Sequence, residues 1–245
     1  MDNNSKTILA SRWTGTILEN ITHIEHVGVD DLLHIDNQKQ MAIKNIANFI
    51  DKKPCLNMLL WGERGSGKSS LIKMLLHKFH NDGLRVVEFP QEEIITTYRL
   101  YRKLRDQANS SFIICFDDIS FDENDIFYRK FKSIIEGGLE KQPENVMFVA
   151  TTNKRHLIKE KALMNNDIYD RDICNEQMSL YARFGLTIGF YPLNTAHYLD
   201  IAKFYLGKIC NKLPDNWEKK AENFAINRGG KSARVAKQFA IYTNL

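Results

Sequence analysis

Residues 62–69 read Gly62-Glu63-Arg64-Gly65-Ser66-Gly67-Lys68-Ser69, which meets every fixed position of the pattern GxxxxGK[ST]. An apolar run, Asn57–Trp61, precedes it, and a stretch suited to a helix, Lys68–His80, follows it. Strand, glycine loop and helix in that order are the context in which such a loop cradles phosphate. Glycines let successive backbone N–H groups turn inward with no Cβ in the way, and so form an anion-binding concavity. The helix opening near Gly67 adds the positive end of its dipole. Lys68 can reach the β- and γ-phosphates, and the Ser69 hydroxyl, followed by Ser70, can ligate Mg²⁺. A chance glycine turn does not account for a full match in this setting.

Outward from the loop, short apolar runs recur at Leu84–Phe89, Phe112–Asp117, Val146–Thr151 and Leu186–Tyr191. Segments long enough for helices lie between them: Gln91–Gln107, Asn124–Glu140 and Lys154–Lys161. Near-continuous apolar strands separated by helices predict an α/β fold with a five-stranded parallel sheet sandwiched by helices. Upstream, the segment from Asp36 carries Met41, Ile43, Ile46 and Ile50 at helical spacing and ends before Pro54. The first thirty residues show no clear period and are expected to pack on the main domain. After Pro192 only helical patterns occur. The first is capped by Asn194 or Thr195, and two more run over about 217–227 and 232–243, with Gly229 and Gly230 between. The expected organisation is an extension over 1–30, a nucleotide-binding domain over 31–191 and a small helical lid over 192–245.

Two more strand ends carry chemistry. Phe112-Ile113-Ile114-Cys115-Phe116 runs into Asp117 and Asp118 at the C-terminal edge, where parallel sheets bind ligands. Asp117 would hold the Mg²⁺ water shell and Asp118 would polarise an attacking water. Alone, an apolar run ending in two acids is a common strand exit; beside a phosphate loop it gains weight. Val146–Thr151 leads into Thr152 and Asn153. The Asn153 amide can orient water beside the γ-phosphate, cap the helix predicted from Lys154, or do both.

Composition narrows the field. With 13 Gly, 5 Pro and 4 Cys in 245 residues, collagen-like, disordered and disulfide-rich secreted classes are excluded. The longest apolar runs have strand length and the N-terminal residues are polar, so no membrane span or secretory leader is expected and a cytoplasmic protein is. Cys55, Cys115, Cys174 and Cys210 form no CxxC pair and read as reduced thiols. The 34 basic and 30 acidic residues leave a net charge of +4, compatible with a polyanion but carrying no nucleic-acid motif.

The stretches GERGSGKSSLIK, FDDISF, KSIIEGGLEKQPENVMFVATTNKRHL and RFGLTIGFYPL, with Ser11-Arg12-Trp13 and IDNQKQ at 35–40, resemble the AAA+ ATPases. They resemble in particular a bacterial branch of predicted ATP-binding proteins catalogued as a domain of unknown function. The likeness covers about residues 10–245. It implies a P-loop NTPase of AAA+ type with ATP and Mg²⁺ as cofactors, and a homo-oligomer acting on a protein partner that the sequence does not name. It places Asn153 at the polar sensor and Arg183 at the arginine finger that reaches a neighbouring subunit. Arg234 falls at the lid's second sensor, and Ile35 and Gln38 near the adenine. Asp118 departs from the family, where many members carry Glu.

Three functions compete. The first is an ATP-hydrolysing remodeller in a homo-oligomer. The second is an ATP-dependent switch or loader on DNA or a DNA-bound protein, which the Asp117-Asp118 pair and the mild basicity suit. The third is a P-loop kinase for a small acceptor, with 159–171 as its closing segment.

Overall fold

The computed structural model describes residues 8–120, 126–137, 140–153, 183–210 and 212–244. Two short strands come first, β1 (Ala10–Trp13) and β2 (Leu18–Ile21), followed by helix α1 (Asp36–Ile50). Then strands and helices alternate: β3 (Met58–Gly62), α2 (Lys68–Phe79), β4 (Leu84–Glu88), α3 (Thr97–Arg105), β5 (Ser111–Phe116), α4 (Ile126–Glu136), β6 (Val146–Thr152) and β7 (Leu186–Phe190). Helices α5 (Thr195–Ile209), α6 (Trp217–Asn227) and α7 (Ala233–Thr243) follow. The helix expected at Lys154–Lys161 lies outside the described residues.

The strands form one sheet in the order β2-β1-β4-β5-β6-β3-β7. Every pairing is parallel except β1 with β2. All five strands expected from the sequence are present, but the count of five is corrected to seven, because residues 10–21 add a hairpin to one edge. Each strand of that hairpin has four residues, too few for a period to show, and β2 buries none of its side chains. Trp13 nonetheless lies fully inside, and its Nε1 donates to Thr96 Oγ1 at 2.7 Å. The 3₁₀ turn Gln91–Thr96, which supplies that acceptor, replaces the first half of the helix predicted over Gln91–Gln107.

Alternation along the strands sends side chains to two cores. Leu59, Ile114, Phe116 and Phe148 pack with Tyr101 and Leu104 of α3 and Phe131 of α4. Met58, Leu60, Ile113 and Val149 pack on the other face with Ala42, Ile46 and Phe49 of α1 and Leu71 and Leu75 of α2. A third core, with Tyr198, Leu206, Ala221, Val235 and Phe239, belongs to the last three helices. The Asn194 side chain caps α5 by accepting from the His197 N–H at 2.8 Å.

Residues 25–31 tie these helices to the sheet. Glu25 accepts from Lys73 of α2 at 2.8 Å and from Lys237 of α7 at 2.7 Å, and Asp31 pairs with Lys208 of α5. The Lys237 and Lys73 hydrogen bonds hold the Glu25 carboxyl at about 2, well below the usual carboxylate range.

A lowered carboxyl pKa stabilises the fold above its unfolded value, and the effect is lost as pH falls through the folded value. The urea midpoint of the wild type should therefore fall between pH about 4.5 and about 2 more than that of Glu25→Gln; parallel midpoints would show that the tie contributes nothing. Trp13→Ala should lower unfolding stability by about 3–5 kcal/mol, as for a buried aromatic truncation, with the slope on urea unchanged. A loss below about 1 kcal/mol would mean that the hairpin is peripheral.

Candidate functional site

The glycine loop leaves β3 beside β7. Gly62 has φ +133, and a Cβ there would meet the Phe190 carbonyl oxygen at 1.9 Å, so no other residue fits this close approach. The Glu63 N–H donates to that same oxygen at 3.2 Å. Gly65, at φ +71, turns the loop beneath the start of α7, where a Cβ would lie 2.8 Å from Arg234 Cβ and 2.9 Å from Ser232 Oγ. The Arg234 N–H donates to the Gly65 carbonyl at 3.2 Å, so the last helix rests on the loop.

Lys68, in the first turn of α2, is 6% exposed. Its Nζ donates to the Gly62 and Glu63 carbonyls, both at 2.8 Å, and to Asn153 Oδ1 at 3.0 Å. Burial pulls the ammonium's pKa down, and the Asp118 and Asp117 carboxylates partly offset this. Ser69 Oγ donates to Asp117 Oδ1 at 2.9 Å, which joins the loop helix to the end of β5. Asp118 turns the chain at φ +55, accepts from Asn153 Nδ2, and lies 3.5 Å from the Arg64 guanidinium. Lys68, Ser69, Asp117, Asp118 and Asn153, chosen from three separate strand ends, thus meet as one hydrogen-bonded cluster.

A cavity of about 810 Å³ opens over this cluster. Arg64, Gly65, Ser66, Gly67, Lys68, Ser69 and Ser70 form its floor, and Arg234 closes it from the C-terminal helices. Ile35, beside Gly67, with Ile201, Tyr205 and Ile241, gives it an apolar wall. Gln38 is not part of that wall, since its Nε2 donates to the Gly189 carbonyl at 2.9 Å. Gly62 and Glu63 face Lys68 instead of the cavity. Arg183, at the start of β7's approach, pairs with Glu136 of α4 and does not line the cavity of its own chain.

Several lining residues carry no sequence signal. Thr151, fully buried, bonds to both acids of the β5 exit, yet in sequence it is one more apolar-strand residue. Glu25, Lys73 and Lys208 reach the cavity from elements far apart in the chain. Lys231 and Lys237, spaced with Arg234 like a solvated face, are engaged with Thr195 and Glu25.

The residues present fit a magnesium–nucleotide complex. Ser66 Oγ in the loop is buried with no hydrogen-bond partner among the described residues, a polar atom that a phosphate oxygen would satisfy. Among the described residues no three His, Cys, Asp or Glu side chains gather for a metal. The pair best placed beneath the loop is one hydroxyl, Ser69, hydrogen-bonded to one carboxylate, Asp117. Mg²⁺ accepts such a sparse protein set when phosphate and water complete its octahedron.

No curated protein matches this chain in sequence. Among solved structures it is similar to the Aeropyrum pernix Orc1 protein in complex with DNA, at TM-score 0.60 and 14% identity. That likeness covers 83% of this chain and 57% of the other, so the chain spans little more than half of its structural relative. Together with the sheet order, it shows the fold: a mostly parallel seven-stranded sheet flanked by helices, consistent with a P-loop NTPase fold, with three helices following it. No helix among the described residues is long and apolar enough to cross a membrane. Residues 6–244 match one family model along nearly the whole length, and the chain belongs to that family, described as "Protein of unknown function (DUF815)".

Proposed function

We propose that this protein binds Mg-ATP in the 810 Å³ cavity and hydrolyses it. It would do so in a homo-oligomer in which nucleotide state moves the lid helices over 192–245 and remodels a protein partner. The observation that carries the reading is the cluster itself: Lys68 bonded to Asn153, Asn153 to Asp118, and Ser69 to Asp117, with Thr151 joining the two acids, beneath a loop whose buried Ser66 hydroxyl has no partner among the described residues. When bound, Mg-ATP supplies the anhydride to be cleaved and the metal charge that steadies its phosphoryl oxygens.

The chain's own groups would then divide the work. The loop amides and Lys68 hold the phosphate tail and neutralise charge as it develops. Ser69 and Asp117 hold the metal. Asp118 accepts a hydrogen bond from the attacking water, and Asn153 keeps that carboxylate in place while touching Lys68. Arg234 senses the tail from the lid, and its backbone bond to Gly65 supports a direct link between loop and lid. Arg183 would act on the neighbouring subunit, a role consistent with its absence from the cavity of its own chain.

A second reading, the ATP-dependent switch on DNA, is favoured by Asp118. Its carboxylate is one methylene shorter than Glu and is anchored by a left-handed backbone at φ +55, which suits slow turnover. The relative solved with DNA lends this reading a precedent at the level of fold alone. The kinase reading depended on residues 159–171, which lie outside the described residues.

Lys68→Ala should weaken binding of a fluorescent ATP analogue about 100-fold, the loss expected for charge-assisted hydrogen bonds to phosphate. Arg183→Ala should bind as the wild type does and lose turnover about 10³-fold. Glu136→Gln, which weakens an ion pair Arg183 makes within its own chain, should turn over normally. Wild-type hydrolysis by Arg183→Ala ends the finger assignment, and an unchanged solution mass on adding ATP ends the oligomer. For the switch, duplex DNA affinity should depend on ATP and fall steeply with salt; identical affinity with ATP, ADP and no nucleotide removes that reading.

A further inference from the structure

Thr151 sits near the end of β6 with 1% of its surface exposed, and its hydroxyl both accepts and donates. The Asp118 N–H donates to Thr151 Oγ1 at 2.8 Å. A hydroxyl that accepts from an N–H must send its own proton elsewhere, and the acceptor 2.6 Å away is Asp117 Oδ1. The proton direction is therefore dictated by the neighbouring amide, not by chance rotation. One residue further, the Ile119 N–H donates to the Thr151 carbonyl at 2.8 Å. Three hydrogen bonds from a single residue thus hold the left-handed turn at Asp118 and the carboxylate before it.

Asp117 Oδ1 already accepts from Ser69 Oγ. With Thr151 as a second donor, that oxygen carries two hydroxyl partners, and the carboxylate plane is fixed against rotation. Oδ2 has no protein donor among the described residues, so it is the oxygen left for a metal or its water shell. We infer that Thr151 is a positioning residue, which pre-orients Asp117 for magnesium by clamping Oδ1 and holding the Asp118 turn. The inference rests on the nucleotide reading above and goes beyond it, since it assigns the metal's orientation to a buried hydroxyl that neither the loop nor the acid pair contains. Partners of this kind, which orient a metal ligand without touching the metal, are worth 10–100-fold in metal affinity.

The test compares wild type, Thr151→Val and Thr151→Ser by titrating a fluorescent ATP analogue with and without Mg²⁺, each variant checked for cooperative thermal unfolding. In the wild type Mg²⁺ tightens binding. In Thr151→Val that gain should shrink about tenfold or more, while affinity without the metal stays within about twofold. Thr151→Ser, which keeps the hydroxyl and drops the methyl, should restore the gain. The assignment is overturned if Thr151→Val keeps the full gain, if it loses metal-free binding equally, or if Thr151→Ser fails as Thr151→Val does. Should Thr151→Val not fold, Thr151→Cys, close in volume and a weak donor, takes its place under the same criteria. A wild type that gains nothing from Mg²⁺ overturns the nucleotide reading as well; a wild type that gains, beside a variant that gains equally, overturns only the role of Thr151.

Discussion

The Lys68 ammonium is taken almost wholly out of water, and such a charge is tolerable only where acceptors surround it. Three do: the carbonyls of Gly62 and Glu63 and the amide oxygen of Asn153. The carbonyls come from the exit of β3, and Asn153 comes from the exit of β6, its neighbour in the sheet. Asn153 in turn donates to Asp118 at the exit of β5. Satisfying one cation therefore draws the ends of three parallel strands toward one point. The carboxylates that would otherwise repel each other there are spread among hydroxyl, amide and guanidinium partners. Charge compensation of this kind accounts for the convergence of the three strand exits.

The C-terminal helices enter the same arrangement through the backbone. Ser232 caps α7 by accepting from the Val235 N–H, and its side chain lies against Gly65 while the Arg234 N–H bonds into the loop. Farther out, Glu25 and Asp31 link α7 and α5 to the segment before α1. His34, also before α1, stacks on His197 of α5 with ring centroids 4.0 Å apart. The helices thus touch the body at the loop, at the 25–31 segment and at His34. A displacement of the loop would be transmitted to them by direct contact and would not require a chain of intermediaries.

Most of the architecture was legible in the sequence because it rests on strong local signals. The strands β3, β5 and β6 are apolar along most of their length, since both faces are covered, and the glycine loop is a full motif. The acids and Asn153 could be placed by their position at strand exits. What the sequence concealed shares a physical cause: it depends on partners distant in the chain. The hairpin of β1 and β2 is too short for periodicity, and Trp13 becomes core through residues distant in the chain, the β4 and 91–96 side chains with Thr96 as its acceptor. Thr151 looks like any residue of an apolar strand until Asp117 and Asp118 are brought beside it. Gln38 lies at the right place in sequence for the apolar wall of the cavity, but its amide is claimed by a carbonyl of β7. Helix spacing made Lys237 look solvated because Glu25, its partner, is 212 residues away.

The placement of β1 has a consequence for how the chain is made. Its hairpin with β2 is local and can close within microseconds of emerging, but its parallel neighbour β4 lies far downstream; the pair Arg12 and Glu88 are 76 residues apart. A nascent chain thus carries Trp13 without its pocket until β3, α2 and β4 have all left the ribosome. Long-range parallel pairing of this sort raises contact order and slows folding, so the hairpin docks late and seals an edge that would otherwise remain open to other strands.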